Sequence, residues 1–204
     1  MSSVYEESGR TRQKQRTSSA LIAAARDLIS QGQTPTVEDT AIAANISRTT
    51  AYRYYPSQAA LLAAAHPEIE ATSLLPADPP HDAAGRLDAV VKAFTTLIAD
   101  TEAQQRATLR LSLQIDPTIE PRLPLRQGRA IGWIGEALAP LQGTVPDDDL
   151  ARLVIAIRSA IGIEALVWLT DVAGLSRVEA AALMQWSARA MLHATVCQSA
   201  QQHG

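Results

Sequence analysis

The chain of 204 residues carries one cysteine, Cys197, so no intramolecular disulfide can form. A lone thiol suits a reducing compartment, and Cys197 reads as a small apolar residue on a C-terminal helix. The four histidines, His66, His81, His193 and His203, show no metal-ligand spacing. HExxH, a glycine-rich phosphate loop and GxSxG are all missing, so neither catalysis, nor a metal, nor a cofactor is expected. Glu164 and Asp171 share a helix face, but such a pair reads as a solvated or ion-paired edge. No basic start followed by an apolar signal core is visible. The most apolar stretch, 153–169, is interrupted by Arg158 and Glu164 and is too short to span a bilayer. A soluble, cytoplasmic chain without a membrane partner is expected.

Aromatic residues make up only 4% of a chain that is 47% hydrophobic. The balance is carried by alanine, the best helix former, and no convincing strand or internal repeat appears. The expected class is all-α. The net charge of −3 argues against a nucleic-acid binder, but its distribution does not. Residues 10–66 hold seven Lys and Arg against three acids, a net of +4, and residues 67–204 hold eleven against sixteen, a net of −5. A basic module joined to an acidic one fits local contact with nucleic acid.

Residues 36–62, TVEDTAIAANISRTTAYRYYPSQAALL, give that module its form. Thr36 is an N-cap candidate, with Asp39 placed to reach back in a capping box. Glu38 and Asp39 complement the positive end of the helix dipole. Val37, Ala41 and Ala44 make one apolar face. Asn45 tolerates the left-handed backbone that ends a helix sharply. Ile46 would plug the corner. Ser47 caps a second helix from about Arg48 to Tyr54, and Pro56 closes it.

In a helix-turn-helix the second helix enters the major groove, N-terminal residues first. Here those are Arg48, Thr49 and Thr50; arginine can pair with guanine and a threonine methyl can pack on thymine. Arg53 could reach base or phosphate, and the Tyr52 and Tyr54 hydroxyls could reach flanking phosphates. Ala51 and Tyr55 would face inward. The plainer alternative is an ordinary polar surface helix; the caps, the turn and the closing proline favour the groove-binding one.

The segment from about Arg16 to Leu62 resembles the DNA-binding signature of the tetracycline-repressor-like (TetR) family of bacterial transcription regulators. The likeness lies in the TVED start, SRTTxYRYY and PSxxALL. It implies an all-α homodimer with an N-terminal three-helix DNA-binding domain and a larger effector-binding and dimerisation domain. It also implies phosphate contacts from Thr36, Tyr52 and Tyr54, and base or phosphate contacts from Arg48, Thr49, Thr50 and Arg53, beside the capping Ser47. Gln58 stands where many members have a phosphate-contacting lysine; it can donate a hydrogen bond but neutralises nothing. Ala51 replaces a larger apolar residue and implies looser packing there.

The sequence divides into a flexible basic arm (1–15), a helix-turn-helix domain (16–66), a linker with the end of helix four (67–81) and an effector-binding and dimerisation domain (82–204). Arg10, Arg12, Lys14 and Arg16 make the arm either a phosphate or minor-groove contact or a solubilising tail. Helix one starts at Ser18 and stops at Gly32. Helix four, capped by Ser57, would kink at Pro67 and run through Ile69 to about Leu74. Helices are expected over 82–102, 103–115, about 125–141, about 146–172 and, capped by Ser176, to about 199, with Pro117, Pro121 and Pro124 in an irregular connection. Ile155, Ile161, Leu166 and Leu169 cannot all face one small core, and Met184, Ala188, Met191 and Leu192 continue the theme. A helix apolar nearly all round is buried on more than one side, most simply in a homodimer through the last two helices.

Arg110, Gln114, Trp133, Arg158, Glu164 and Trp168 are polar or aromatic groups among apolar faces. They are candidates for an effector pocket, against the alternative of packing or interface roles. The small-molecule effector is of unknown class, and the expected partner is double-stranded operator DNA. The competing reading is a helical small-molecule-binding protein without sequence-specific DNA binding.

Overall fold

The computed structural model describes residues 3–65, 71–114 and 128–202, apart from the side chains of residues 3–10, Leu111, Gln114 and Gln202. The elements are α1 (Ser3–Ser30), α2 (Val37–Ala43), α3 (Arg48–Tyr54), α4 (Gln58–Ala64), α5 (Ala83–Asp100), α6 (Glu102–Gln114), α7 (Arg129–Leu138), α8 (Asp147–Ile161), α9 (Ile163–Val167) and α10 (Arg177–Gln202). The class is all-α, with no strand among the described residues.

The chain forms two compact units. The first comprises Met1–Ile69 and Ala103–Gln127, the second Glu70–Glu102 and Gly128–Gly204. This departs from a single body over 82–204, because α6 belongs with the N-terminal helices from Ala103 on. Hydrogen bonds account for it. Gln104 Nε2 and Arg26 Nε both donate to the Ala65 carbonyl at the end of α4, and Arg110 donates to the Thr34 hydroxyl.

In the first unit, Leu21 and Ala25 of α1 pack with Val37, Ala41, Ala51, Tyr55, Leu61 and Ala65. A second cluster joins Ile29, Leu62 and Ala107. Burying a leucine fully stabilises by about 1.5–3 kcal/mol, so the C-terminal half of α1 anchors this unit. Helix α1 nevertheless starts at Ser3, fifteen residues ahead of the Ser18 start expected from apolar spacing. Residues 11–16 are helical and exposed rather than a non-helical arm. Helix α4 ends at Ala64, and the described residues 71–75 are not helical, so it does not continue to Leu74. Pro67 and Ile69 lie outside the described residues, as do His66, His203, Pro117, Pro121, Pro124 and Leu125.

The second unit is built on α5, whose N-cap Asp82 accepts from Gly85 N at 2.8 Å. Leu87, Val90, Val91, Phe94 and Ile98 of α5, Trp133 and Ile134 of α7, Leu153, Ile157 and Ile161 of α8, and Ala180, Met184, Ala188 and Leu192 of α10 are all buried, with α5 and α8 each packing on α7 and α10. Arg86 donates to the Ala137 and Glu136 carbonyls at 3.2 and 2.9 Å, closing the end of α7. Ser176 and Glu179 bond reciprocally at the start of α10. The expected long helix over 146–172 is broken at Gly162, whose ψ of 178° is extended, and it ends in a wider π turn over Trp168–Val172. Within the 26-residue helical run Asp147–Val172, a stretch of 18 residues has a mean hydropathy of 1.8, apolar enough by length and composition alone to cross a membrane, and 44% of that stretch is buried. Ile161, Leu166 and Leu169 point into the unit, whereas Ile155 is 55% exposed.

Candidate functional site

Thr36 and Asp39 form the capping box of α2. Asp39 N donates to Thr36 Oγ1 at 3.1 Å, and Thr36 N donates to Asp39 Oδ2 at 2.9 Å. The Thr36 hydroxyl donates to the same carboxylate at 2.7 Å. These side-chain and backbone bonds from Thr36 hold the Asp39 carboxyl below its usual range.

Asn45 has φ of 54°, the left-handed conformation its short polar side chain tolerates. Around it, Ile46 N donates to Ala41 O at 2.9 Å and Asn45 N to Ile42 O at 3.1 Å. This is the pair of bonds that terminates a helix in a Schellman motif. Ile46 packs on the core cluster. Ser47 then caps α3, accepting from Thr50 N at 3.3 Å.

Helix α3 has two faces. Ala51 and Tyr55 are buried, and the Tyr55 hydroxyl bonds Ser18 Oγ of α1 at 2.8 Å. Arg48, Thr49, Tyr52 and Arg53 are exposed, and Thr50 and Tyr54 are half-buried at the margin. Three- and four-residue spacings put the exposed set on one helix face. The guanidinium of Arg48 lies 5.6 Å from the Tyr52 ring centroid, and that of Arg53 lies 5.9 Å from that of Tyr54. Arg48 also reaches Glu38 of α2 at 3.3 Å. The helix thus presents two cations and several hydroxyls toward solvent.

Three sequence-selected residues have other work. The Thr36 hydroxyl proton and the Ser47 hydroxyl are used in caps. Gln58 Nε2 donates to Thr34 O at 3.2 Å and Pro35 O at 3.0 Å, which ties α4 to the loop entering α2. Gln13 and Thr17, which sequence analysis did not select, join Lys14, Thr50, Arg53 and Tyr54 around an open hollow beside α3. It holds about 650 Å³ between Gln13, Lys14 and Thr17 of α1 and Thr50, Arg53 and Tyr54 of α3. The signal of Gln13 and Thr17 was hidden because residues 11–17 show no apolar period.

The six candidate effector residues are divided between the two units. Arg110 belongs to the first unit, the Gln114 side chain lies outside the described residues, and Trp168 is 57% exposed. Of the other three, Trp133 and Arg158 meet Phe94, the only phenylalanine, and Glu164 joins them through Arg158. The Trp133 ring meets Phe94 edge-on at 5.9 Å and 65°, and the Arg158 guanidinium sits 5.6 Å from its centroid. Arg158 pairs with Glu164 at 3.4 Å. Trp133 Nε1 donates to Thr72 O at 3.3 Å. The pair lies over Gly162, where a methyl group would overlap Arg158 Nη1 and Glu164 Oε2. The half-buried cation beside an aromatic face could meet an anionic group, and Phe94 and Gly162 join the set that spacing suggested.

Among the described residues, no group of three or more His, Cys, Asp or Glu is placed to hold a metal ion. No family model matches the chain, and no curated protein matches it.

Proposed function

We propose that this chain is a ligand-responsive transcriptional regulator of the tetracycline-repressor-like kind, a repressor that binds a palindromic operator as a homodimer. The observation that carries the proposal is the division of α3, with Ala51 and Tyr55 buried and Arg48, Thr49, Tyr52 and Arg53 exposed together. Arginine offers bidentate pairing to guanine, and tyrosine hydroxyls offer phosphate contacts. Two copies would place their α3 helices in successive major grooves, roughly 34–36 Å apart.

The dimer is supported by apolar side chains left exposed on the last long helices: Ile155, Leu183 and Trp186, the last 64% exposed. A second copy covering them would explain why residues of that size face outward. The Phe94, Trp133, Arg158 and Glu164 cluster supports an effector site in the second unit. Helix α4 ends at Ala64. Helix α6 is a candidate for carrying the effector's influence to the DNA-contacting helices, because Gln104 and Arg110 hold the Ala65 carbonyl and Thr34. Coupling of this kind amounts to about 1–3 kcal/mol.

Selection of the purified chain on a randomised DNA pool tests the proposal. The expected outcome is an enriched palindrome whose recovery Arg48→Ala abolishes. An unselected pool together with a monomer in solution would sink it and leave a helical small-molecule-binding protein.

A further inference from the structure

We propose that Lys14 of α1 and Arg53 of α3 jointly seat one backbone phosphate of a bound duplex, and that the helical form of α1 selects Lys14 over Arg12 and Arg16. The inference rests on α3 as a DNA-contacting helix and goes beyond it, since it assigns a contact to an element outside the α2–α3 segment.

Two hollows flank Tyr54. The larger, about 650 Å³, has Lys14, Thr17, Thr50 and Arg53 in its walls. The smaller, about 280 Å³, is lined by Thr11, Lys14, Gln15, Ser18, Ser19 and Tyr54. Lys14 and Tyr54 belong to both, and among the described residues no carboxylate lines either. Among the described residues, the larger hollow therefore offers two cations, Lys14 and Arg53, to an anion. Thr50 adds a donor, because its hydroxyl accepts from Ser47 at 2.8 Å and keeps its own proton to give. Thr17 does not, since its hydroxyl donates to Gln13 O at 3.0 Å. The hollow opens beside the exposed face of α3, so the anion that suits it is a phosphate of the same duplex.

The helix makes the assignment specific. At about 100° per residue, positions two before and two after Lys14 lie about 160° round α1 from it. Arg12 and Arg16 occupy those positions and line neither hollow. Thr17 and Ser18, one turn on, share the side of Lys14. A non-helical arm would make its cations interchangeable.

The test is the salt dependence of binding to a duplex carrying the selected palindrome and to a shuffled duplex, for the full chain. Each neutralised phosphate contributes about 0.9 to the slope of log K against log salt. Lys14→Ala is expected to lower the slope by about that amount and to weaken both duplexes by the same factor. Lys14→Arg should restore the slope. The double variant Arg12→Ala, Arg16→Ala should change it much less. Lys14 is exposed, so truncation leaves the core intact. A Lys14→Ala slope equal to wild type, or equal to that of the double variant, overturns the inference. If Arg48→Ala still destroys preference for the palindrome, the DNA reading survives alone. A wild-type chain that binds neither duplex overturns both.

Discussion

Gln58 Nε2 donates to the Pro35 carbonyl at 3.0 Å, joining the start of α4 to the chain entering α2. The same amide reaches Thr34 O. Both of its protons are thereby spent within the first unit, leaving Gln58 a fastener for the α2 entry and not a phosphate donor. Gln58→Ala should destabilise the first unit by about 1–2 kcal/mol, the worth of one or two neutral hydrogen bonds. Urea unfolding should show a lower midpoint with unchanged slope. An unchanged midpoint would mean that water replaces the amide without loss.

The Arg158–Glu164 pair explains a glycine that no turn requires. Gly162 has φ of −84° and ψ of 178°, which any residue can adopt. Its constraint is space, because a methyl group meets both charged ends. Gly162→Ala should therefore cost about 1 kcal/mol through the displaced pair. Combined with Glu164→Gln, the two losses should fall short of adding, as residues sharing one contact do. Full additivity in a denaturation cycle would show that the pair does not sense position 162.

Acid should act through the caps. The Thr36 hydroxyl and amide lower the Asp39 carboxyl, and those of Ser176 lower the Glu179 carboxyl. A depressed folded-state pKa gives stability that is present above the unfolded value, near 3.8 for Asp39, and is lost as pH falls through the folded value. Asp39→Asn should thus be less stable than wild type at neutral pH, with the gap closing below the usual carboxylate range. Unfolding midpoints measured across that range check this; a gap of constant size would assign the loss to packing.

Local signals made α2 and α3 legible. Thr36, Ser47 and Ser57 each cap a helix, and Asn45 turns left-handed, because a cap is decided by a residue and its next three neighbours. The start of α1 was hidden because residues 11–16 are helical without burial, so no apolar period marks them. The break at Gly162 was hidden because Ile161 and Ile163 carry the apolar run straight through it. The roles of Gln58 and Arg110 depend on partners 23 and 76 residues away, which no spacing rule reaches.

Glu38 bears on how Arg48 would meet DNA. In the free chain the two pair at 3.3 Å with side chains 46% and 66% exposed, and Arg48 also lies over Tyr52. An exposed pair is worth about 0–1 kcal/mol. To reach a base edge, Arg48 must leave Glu38, whereas its contact with Tyr52 on the same helix can persist. Glu38→Gln should accordingly raise affinity for the selected palindrome by up to about fivefold, the equivalent of that pair energy. The gain should shrink as salt screens the pair. It should also shrink on the shuffled duplex, where Arg48 has no base to read, and in an Arg48→Ala background, where there is nothing to release. A gain that is equal on both duplexes and survives loss of Arg48 would instead report simple repulsion between Glu38 and the phosphates.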